Sequence, residues 1–422
     1  MNLLHRVSWF AATPIVGAAV ALGTLPILTR HLDAADYGLF GLGMIIGNLV
    51  PALANPHSLS FFSARLHRGI PAGRLVGTVL AFSGAATLIL VMVAAIVGMS
   101  LSTLVGLPPE ALWISLAVGA ATAPWSIVAD YLVADGAARP YALVYISSAI
   151  ASAGAAIAAA NVPQTEHLAL FIGALAGSVL QFAAALFIFT RIRLQMERRY
   201  FPVLRRLWLP NSVSGTLEWL NSLVERWALA TFGSLAATGT VLHSQQYKNL
   251  AGAAVKVLLR STWTISIDEA RLGSFPVSRR YWHAVDVFLI VSGLAFATVG
   301  PFFVGILTNH KLTDAAFIAA GWMLVLLLHN SYRPAVLTLH ARGEGHRFSK
   351  ISGWGFGVNL CLTPLLVPLI GVWSPIVAGA ANALTVYVLL RREVPLLRVA
   401  SMTLIATGSA AIIATLAFRL SN

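Results

Sequence analysis

Apolar residues along this chain come in unbroken runs rather than in alternation. Thirteen runs of about 20 residues lie at 8–29, 37–59, 75–100, 111–134, 141–160, 167–190, 209–232, 241–265, 283–308, 315–338, 351–370, 374–391 and 398–418. A helix of that length crosses the hydrocarbon core of a bilayer. The period-two alternation of a transmembrane barrel is missing. The pattern predicts an all-α integral membrane protein. Its longest polar stretch, RIRLQMERRYFPVLRRL at 191–207, holds six arginines near mid-chain. It is expected to be a basic cytoplasmic linker (191–208) between two six-helix bundles, an N-terminal lobe at 1–190 and a C-terminal lobe at 209–395, with 396–422 an appended hydrophobic helix. That makes about twelve transmembrane helices plus an extra C-terminal one. A shift of 201 residues lays Gly38 on Gly239 and Asn48–Leu49 on Asn249–Leu250. An internal duplication with pseudo-symmetric halves is the expectation, as in many secondary transporters.

Composition agrees with the pattern. The chain is 58% hydrophobic and 10% charged, with a mean hydropathy of +0.80. The lone cysteine, Cys361, lies within an apolar run and has no internal disulfide partner. The first run is too long and too marked by Pro and Gly for a cleaved signal, and is expected to be a retained helix.

The net charge of +13 raises nucleic acid as a partner, but the location of the charges excludes it. With a cytoplasmic N-terminus, 20 of the 28 Lys and Arg residues fall in cytoplasmic segments and three, Arg30, Lys311 and Arg419, on the other side. The remaining five lie within apolar runs. This is the positive-inside asymmetry of a cytoplasmic-membrane protein, and no basic patch is interleaved with exposed aromatics. The linker arginines anchor topology and attract anionic membrane lipids.

The first and second runs meet at a polar hinge, Arg30–Asp36. Asp33 or Asp36 is expected to cap the next helix, and Gly38 to make the tight turn. The stretch PILTRHLDAADYGLFGLGMII (26–46) resembles the signature of Wzx-type polysaccharide-biosynthesis flippases, with an echo in the second half at ERWALATFGSLAATGTVLHSQQYKNLAG (225–252). These are lipid-linked oligosaccharide transporters of the multidrug/oligosaccharidyl-lipid/polysaccharide (MOP) exporter superfamily. The resemblance implies a MATE-like pair of lobes and alternating access. It implies translocation of undecaprenyl-pyrophosphate-linked oligosaccharide (O-antigen, exopolysaccharide or capsule repeat units, hence lipopolysaccharide biosynthesis) across the bacterial inner membrane. Polysaccharide polymerase and glycosyltransferases are the implied partners, and proton or sodium coupling is known in some members.

Ionisable residues inside membrane spans cost about 2.5–3.5 kcal/mol each on insertion scales and point to function. The seventh and eighth runs hold Glu218, Glu225 and Arg226, then Lys248, Lys256 and Arg260; Arg333 precedes Pro334 in the tenth. Glu218 and Glu225 share a helix face, as do Lys248, Lys256 and Arg260. In an antiparallel pair Glu225 is level with Lys248, and Glu218 with Lys256. One reading is a set of paired charges holding two helices together, with Arg260 snorkelling to the surface. However, with Asp130 and Asp286 set aside as boundary charges, the spans hold five cations and two carboxylates. A pyrophosphate supplies the missing negative charge, and arginine's fork of donors suits it. Arg30, Arg226, Lys248, Lys256, Arg260 and Arg333 are therefore expected to line a wet central cavity that binds substrate. Glu218 and Glu225 are either pairing partners or coupling carboxylates for protons or sodium. Asp130 and Asp286 read as boundary charges at helix ends, His329 as a buried hydrogen-bonded histidine, and Trp9, Trp113, Trp208 and Trp373 as interfacial anchors.

No Walker lysine motif, metal-ligand spacing or Ser/His/Asp set is present. The reading is a flippase with no cofactor and no metal, not an enzyme. The alternatives are a lipid II or teichoic-acid precursor flippase and a drug or cation exporter of the same superfamily. A glycan polymerase or ligase ranks lower because the outer loops are short.

Overall fold

The computed structural model describes residues 3–55, 58–66, 69–261, 263–342, 344–394 and 401–421; the side chains of some helical residues, Lys256 and Arg260 among them, lie outside that description. Among the described residues all regular structure is helical. The chain divides into two compact units, Met1–Leu223 and Val224–Asn422.

The first unit holds α1 (Leu3–His31), α2 (Ala34–Ala54), α3 (Ser58–Leu66), α4 (Ala72–Val105), α5 (Pro109–Asp135), α6 (Ala138–Ala160), α7 (Ala169–Arg191) and most of α8 (Phe201–Ala228). Lipid is as apolar as leucine, so such helices associate by close packing of small residues. Here α2 crosses α5 where Gly47 meets Ser115 and Gly119 meets Gly47. A Cβ on either glycine would stand 2.1 Å from a carbonyl oxygen of the other helix. Likewise α6 and α7 close on Gly173 and Gly177, whose Cβ positions lie 2.7 and 3.0 Å from the Ser152 and Ser148 carbonyl oxygens. Across that seam the Gln181 amide donates to Ser148 Oγ at 3.2 Å.

The polar hinge is shorter than expected. Only Leu32 and Asp33 are non-helical, and Gly38 lies a turn inside α2. The turn is built by side chains instead of by glycine. Asp33 accepts from the Ala35 and Asp36 amides, and Asp36 accepts from the Asp33 amide, forming a reciprocal capping box. Asp130 is not a simple boundary charge either. Its Oδ2 accepts from the Asn55 side chain at 3.0 Å, Ser58 Oγ at 2.5 Å and the Leu59 amide at 3.2 Å. It thereby caps α3 from across the unit, where the second predicted run breaks in two.

The second unit holds the end of α8, a five-residue π turn (Leu229–Gly233), α9 (Leu235–Ser261), α10 (Trp263–Leu272), α11 (Ser278–Thr298), α12 (Gly300–Leu307), α13 (Ala315–Ser331), α14 (Arg333–Ala341), α15 (Gly345–Ile370), α16 (Ser374–Glu393) and α17 (Ser401–Ser421). Its core gathers Val241, Val285, Leu289, Ile318, Trp322, Met323 and Leu327. The expected appended helix, α17, packs on α11 and α13. Gly293 of α11 faces Ile412, and Gly408 of α17 faces Ile290. Ser234 is extended, and its Oγ accepts from the Ala237 amide at 3.0 Å at the start of α9. The 201-residue shift lays Asp33 on Ser234, a cap on a cap.

Among the described residues, the thirteen predicted runs fall on helices. Among the described residues eight helical segments are long and apolar enough to cross a membrane, or nine counting the bent pair α13–α14. One of the eight, Arg347–Glu393, is α15 and α16 joined by a 3-10 turn, Gly371–Trp373. The α13–α14 pair bends by 40° beside Pro334, which lacks an amide hydrogen and whose ring crowds the preceding turn.

Outside the spans, Glu269 of α10 accepts from the Val277 and Ser278 amides at 2.7 and 2.9 Å, securing the start of α11. Burial alone would raise its pKa. Hydrogen bonds from the Ser278 side chain and the two amides outweigh this and hold the carboxyl below its ordinary range. Its stabilising contribution is complete above the unfolded-state value of about 4.3 and is lost as pH falls through the lower folded-state value. Glu269→Gln is expected to lower the thermal midpoint at pH 7, with the deficit against wild type closing below about pH 4; scanning fluorimetry from pH 3 to 7 checks this. Gly47→Ala is expected to destabilise by about 3 kcal/mol, since a methyl cannot share space with a backbone oxygen. Gly154→Ala, where nothing lies within 4 Å, is the control and should be neutral or slightly stabilising. Thermal melts of both in detergent report the difference.

Candidate functional site

The densest polar cluster inside the helices of the second unit is built by α9, α13 and the end of α8. Ser244 and Lys248 are four residues apart and so share one face of α9. Both engage Trp322 of α13, an indole only 4% exposed. Its Nε1 donates to Ser244 Oγ at 3.2 Å, and Lys248 Nζ stands 3.9 Å from the ring centroid. The Ser244 hydroxyl in turn donates to the Val241 carbonyl at 2.6 Å. Gln245, three residues before Lys248, donates from Nε2 to Glu225 Oε1 at 2.5 Å. Glu225 also lies in electrostatic reach of Lys248 and Arg226, and Lys248 acts electrostatically on His329. His329 Nδ1 is 2.8 Å from the Val325 carbonyl.

A second polar layer flanks this one. On α9, His243 Nε2 and the Tyr247 hydroxyl are 3.0 Å apart, and Tyr247 packs on Phe296 with ring centroids at 5.2 Å. Asp286 was expected at a helix end. Instead it lies eight residues into α11, 1% exposed, and accepts from Asn330 Nδ2 at 2.6 Å. The expectation failed because the apolar run was read as starting at 283, whereas α11 starts at Ser278.

The expected site residues are distributed as follows. Glu225, Arg226 and Lys248 come together. Arg333 is half-buried, at the α13–α14 bend of the same unit. Lys256 and Arg260 continue α9, but their side chains lie outside the described residues. Arg30 and Glu218 belong to the first unit, where both are exposed, Arg30 at the end of α1 and Glu218 on α8. Sequence reasoning missed Trp322, Ser244 and Gln245. The two α9 residues carry a signal, four and three positions before Lys248, a charge already singled out. Trp322 carries none, since an indole in an apolar run looks like ordinary core. Among the described residues no group of three or more His, Cys, Asp or Glu side chains is arranged to hold a metal.

No protein-family model matches the chain, and no curated protein matches it in sequence. Solved structures do match in fold. The lipid II flippase MurJ in an inward closed conformation superposes with a TM-score of 0.73 at 12% identity, over 97% of this chain and 91% of that one. The fold is that of the MOP-superfamily transporters. An inward-facing multidrug-resistance MATE transporter of that superfamily gives 0.64 at 12% identity, over 93% of this chain and 99% of that one. The MATE multidrug transporter DinF-BH, in complex with R6G, gives 0.56 at 15% identity, over 94% and 97%. These similar structures are transporters and a flippase, not enzymes.

Asp286→Ala is expected to leave the buried Asn330 amide without its acceptor, at a cost of about 1–3 kcal/mol. Asp286→Asn keeps an acceptor in place and should cost less. Thermal midpoints of the two purified variants give the order.

Proposed function

We propose that this chain is a flippase that carries a lipid-pyrophosphate-linked oligosaccharide across the bacterial inner membrane, with its N-terminus cytoplasmic. The observation carrying the reading is the pair of cations, Arg226 and Lys248, set among transmembrane helices around the carboxylate Glu225. Counted by themselves, these three side chains carry two positive charges and one negative. A pyrophosphate head group answers the imbalance through charge-assisted hydrogen bonds, with the guanidinium as the bidentate donor. Arg333, Lys256 and Arg260 are proposed to extend the cationic path within the second unit, Glu225 to tune it, and Arg30 to serve as a substrate-binding cation of the first unit. The N-terminal and C-terminal six-helix lobes are proposed to alternate access, with the basic segment at 191–208 linking them. The similarity to a lipid II flippase supports a lipid-linked substrate. The resemblance of residues 26–46 to Wzx-type proteins favours a polysaccharide repeat unit, supplied by glycosyltransferases and consumed by a polymerase.

A drug or cation exporter is the second reading, which the MATE similarity keeps open. One contact weighs against it. The buried indole face that would hold an organic cation is already covered by Lys248.

Arg226→Gln with Lys248→Gln is expected to reduce translocation of a fluorescent undecaprenyl-pyrophosphate oligosaccharide in proteoliposomes by at least about a hundredfold, the scale of two lost charge-assisted bonds. Reconstitution itself should be unchanged. Full translocation by the double variant, or transport of ethidium instead, overturns the flippase reading.

A further inference from the structure

The linker segment forms a cavity of its own in the first unit. Its main chain runs beside the start of α4, where glycines let it approach. A Cβ at Gly73 would stand 2.1 Å from the Arg193 carbonyl oxygen, and one at Gly77 2.6 Å from that of Gln195. The Gln195 amide donates to the Gly73 carbonyl at 3.1 Å, and the Glu197 amide to Thr78 Oγ1 at 2.8 Å. After a 3-10 turn at Arg198–Tyr200 the chain enters α8. There Phe201 and Trp208 both pack edge-on against Phe82 of α4, with centroids at 5.8 and 6.2 Å. The Trp208 indole donates to the Leu53 carbonyl at 2.7 Å, so this tryptophan braces α8 against α2 rather than standing as a free anchor.

Between α4 and α8 lies a cavity of about 540 Å³ lined by Phe82, Phe201, Pro202, Arg205, Arg206 and Leu209. Its walls are apolar and its rim carries two adjacent guanidinium groups. Arg199, earlier in the same segment, is paired with Glu197 at 2.8 Å. Among the described residues no carboxylate lies within ion-pair distance of Arg205 or Arg206. Beyond Phe82, on the same face of α4, Ile89, Met92 and Ile96 are 62%, 66% and 61% exposed. The rise from Phe82 to Met92 is about 15 Å, half the thickness of a bilayer core.

We propose that this cavity is a binding site for an anionic phospholipid. Arg205 and Arg206 hold the phosphate, the aromatic walls enclose the glycerol region, and the acyl chains lie along the exposed stripe of α4. Two unpaired guanidinium groups over an apolar cleft complement an anionic head group with tails. A zwitterionic lipid brings an ammonium that they repel. The site belongs to the first unit and is independent of Arg226 and Lys248, so it stands or falls separately from the flippase reading.

The test uses native mass spectrometry of the full chain purified from mixed phosphatidylglycerol and phosphatidylcholine vesicles, together with a photoactivatable phosphatidylglycerol. Wild type is expected to retain phosphatidylglycerol over phosphatidylcholine and to crosslink within residues 201–209 or at Phe82. Arg205→Gln with Arg206→Gln should lower retention about tenfold or more. Arg279→Gln with Arg280→Gln, an exposed arginine pair elsewhere, should leave it unchanged. The crosslink position in wild type needs no variant to fold. Equal retention of both lipids, equal loss from the two arginine pairs, crosslinks elsewhere, or displacement of phosphatidylglycerol by equimolar undecaprenyl pyrophosphate would each overturn the proposal.

Discussion

A lysine packed among apolar helices must be stabilised by its surroundings, and here an indole is part of them. Placing an ammonium at mid-helix costs about 2.5–3.5 kcal/mol on insertion scales. A desolvated cation–π contact returns about 2 kcal/mol or more, and the field of Glu225 contributes further. The contact between Lys248 and Trp322 at 3.9 Å therefore offsets a large share of that cost. It also explains the arrangement around it. An indole that presents its face to Lys248 and its edge to Ser244 fixes both the rotation of α9 and its axial position on α13. Gln245 is then aimed at Glu225, so the end of α8 is drawn into the same assembly.

The helices were readable because membrane helices announce themselves by length and apolarity, and among the described residues the thirteen runs fall on helices, several of them, such as 37–59 and 315–338, divided between two. Their ends and bends were less readable. Hydropathy does not distinguish a residue facing lipid from one facing protein. The run at 37–59 therefore concealed the break at Asn55, which depends on Asp130 from another helix. Glycine at position 38 suggested a turn, but a capping box of two aspartates makes the turn earlier and leaves the glycine for packing inside α2. The 201-residue shift also relates two helix starts whose residue types differ. Asp33 and Ser234 differ chemically, yet each accepts an amide hydrogen at the start of a helix.

The candidate site was half visible. Charges inside apolar runs could be picked out by cost alone, which identified Glu225, Arg226 and Lys248. What the sequence could not supply was their neutral company. Trp322 sits 74 residues beyond Lys248, and nothing local marks it as different from the core tryptophans. Asp286 was seen but misjudged, because five polar and aromatic residues at the start of α11 made the helix look shorter than it is. The fold is shared by structures named for a lipid and for drugs, at 12–15% identity. Architecture alone therefore does not discriminate between those cargoes.

The glycines at 73 and 77 change what the arginine-rich segment is. Six arginines spread over sixteen residues of free chain, 191–206, would ordinarily behave as a diffuse cloud on a wandering tether, repelling one another and sampling many distances. With its main chain laid against α4, the segment is instead a splint. Its charges occupy set coordinates and present to the surroundings a pattern that has shape as well as sign.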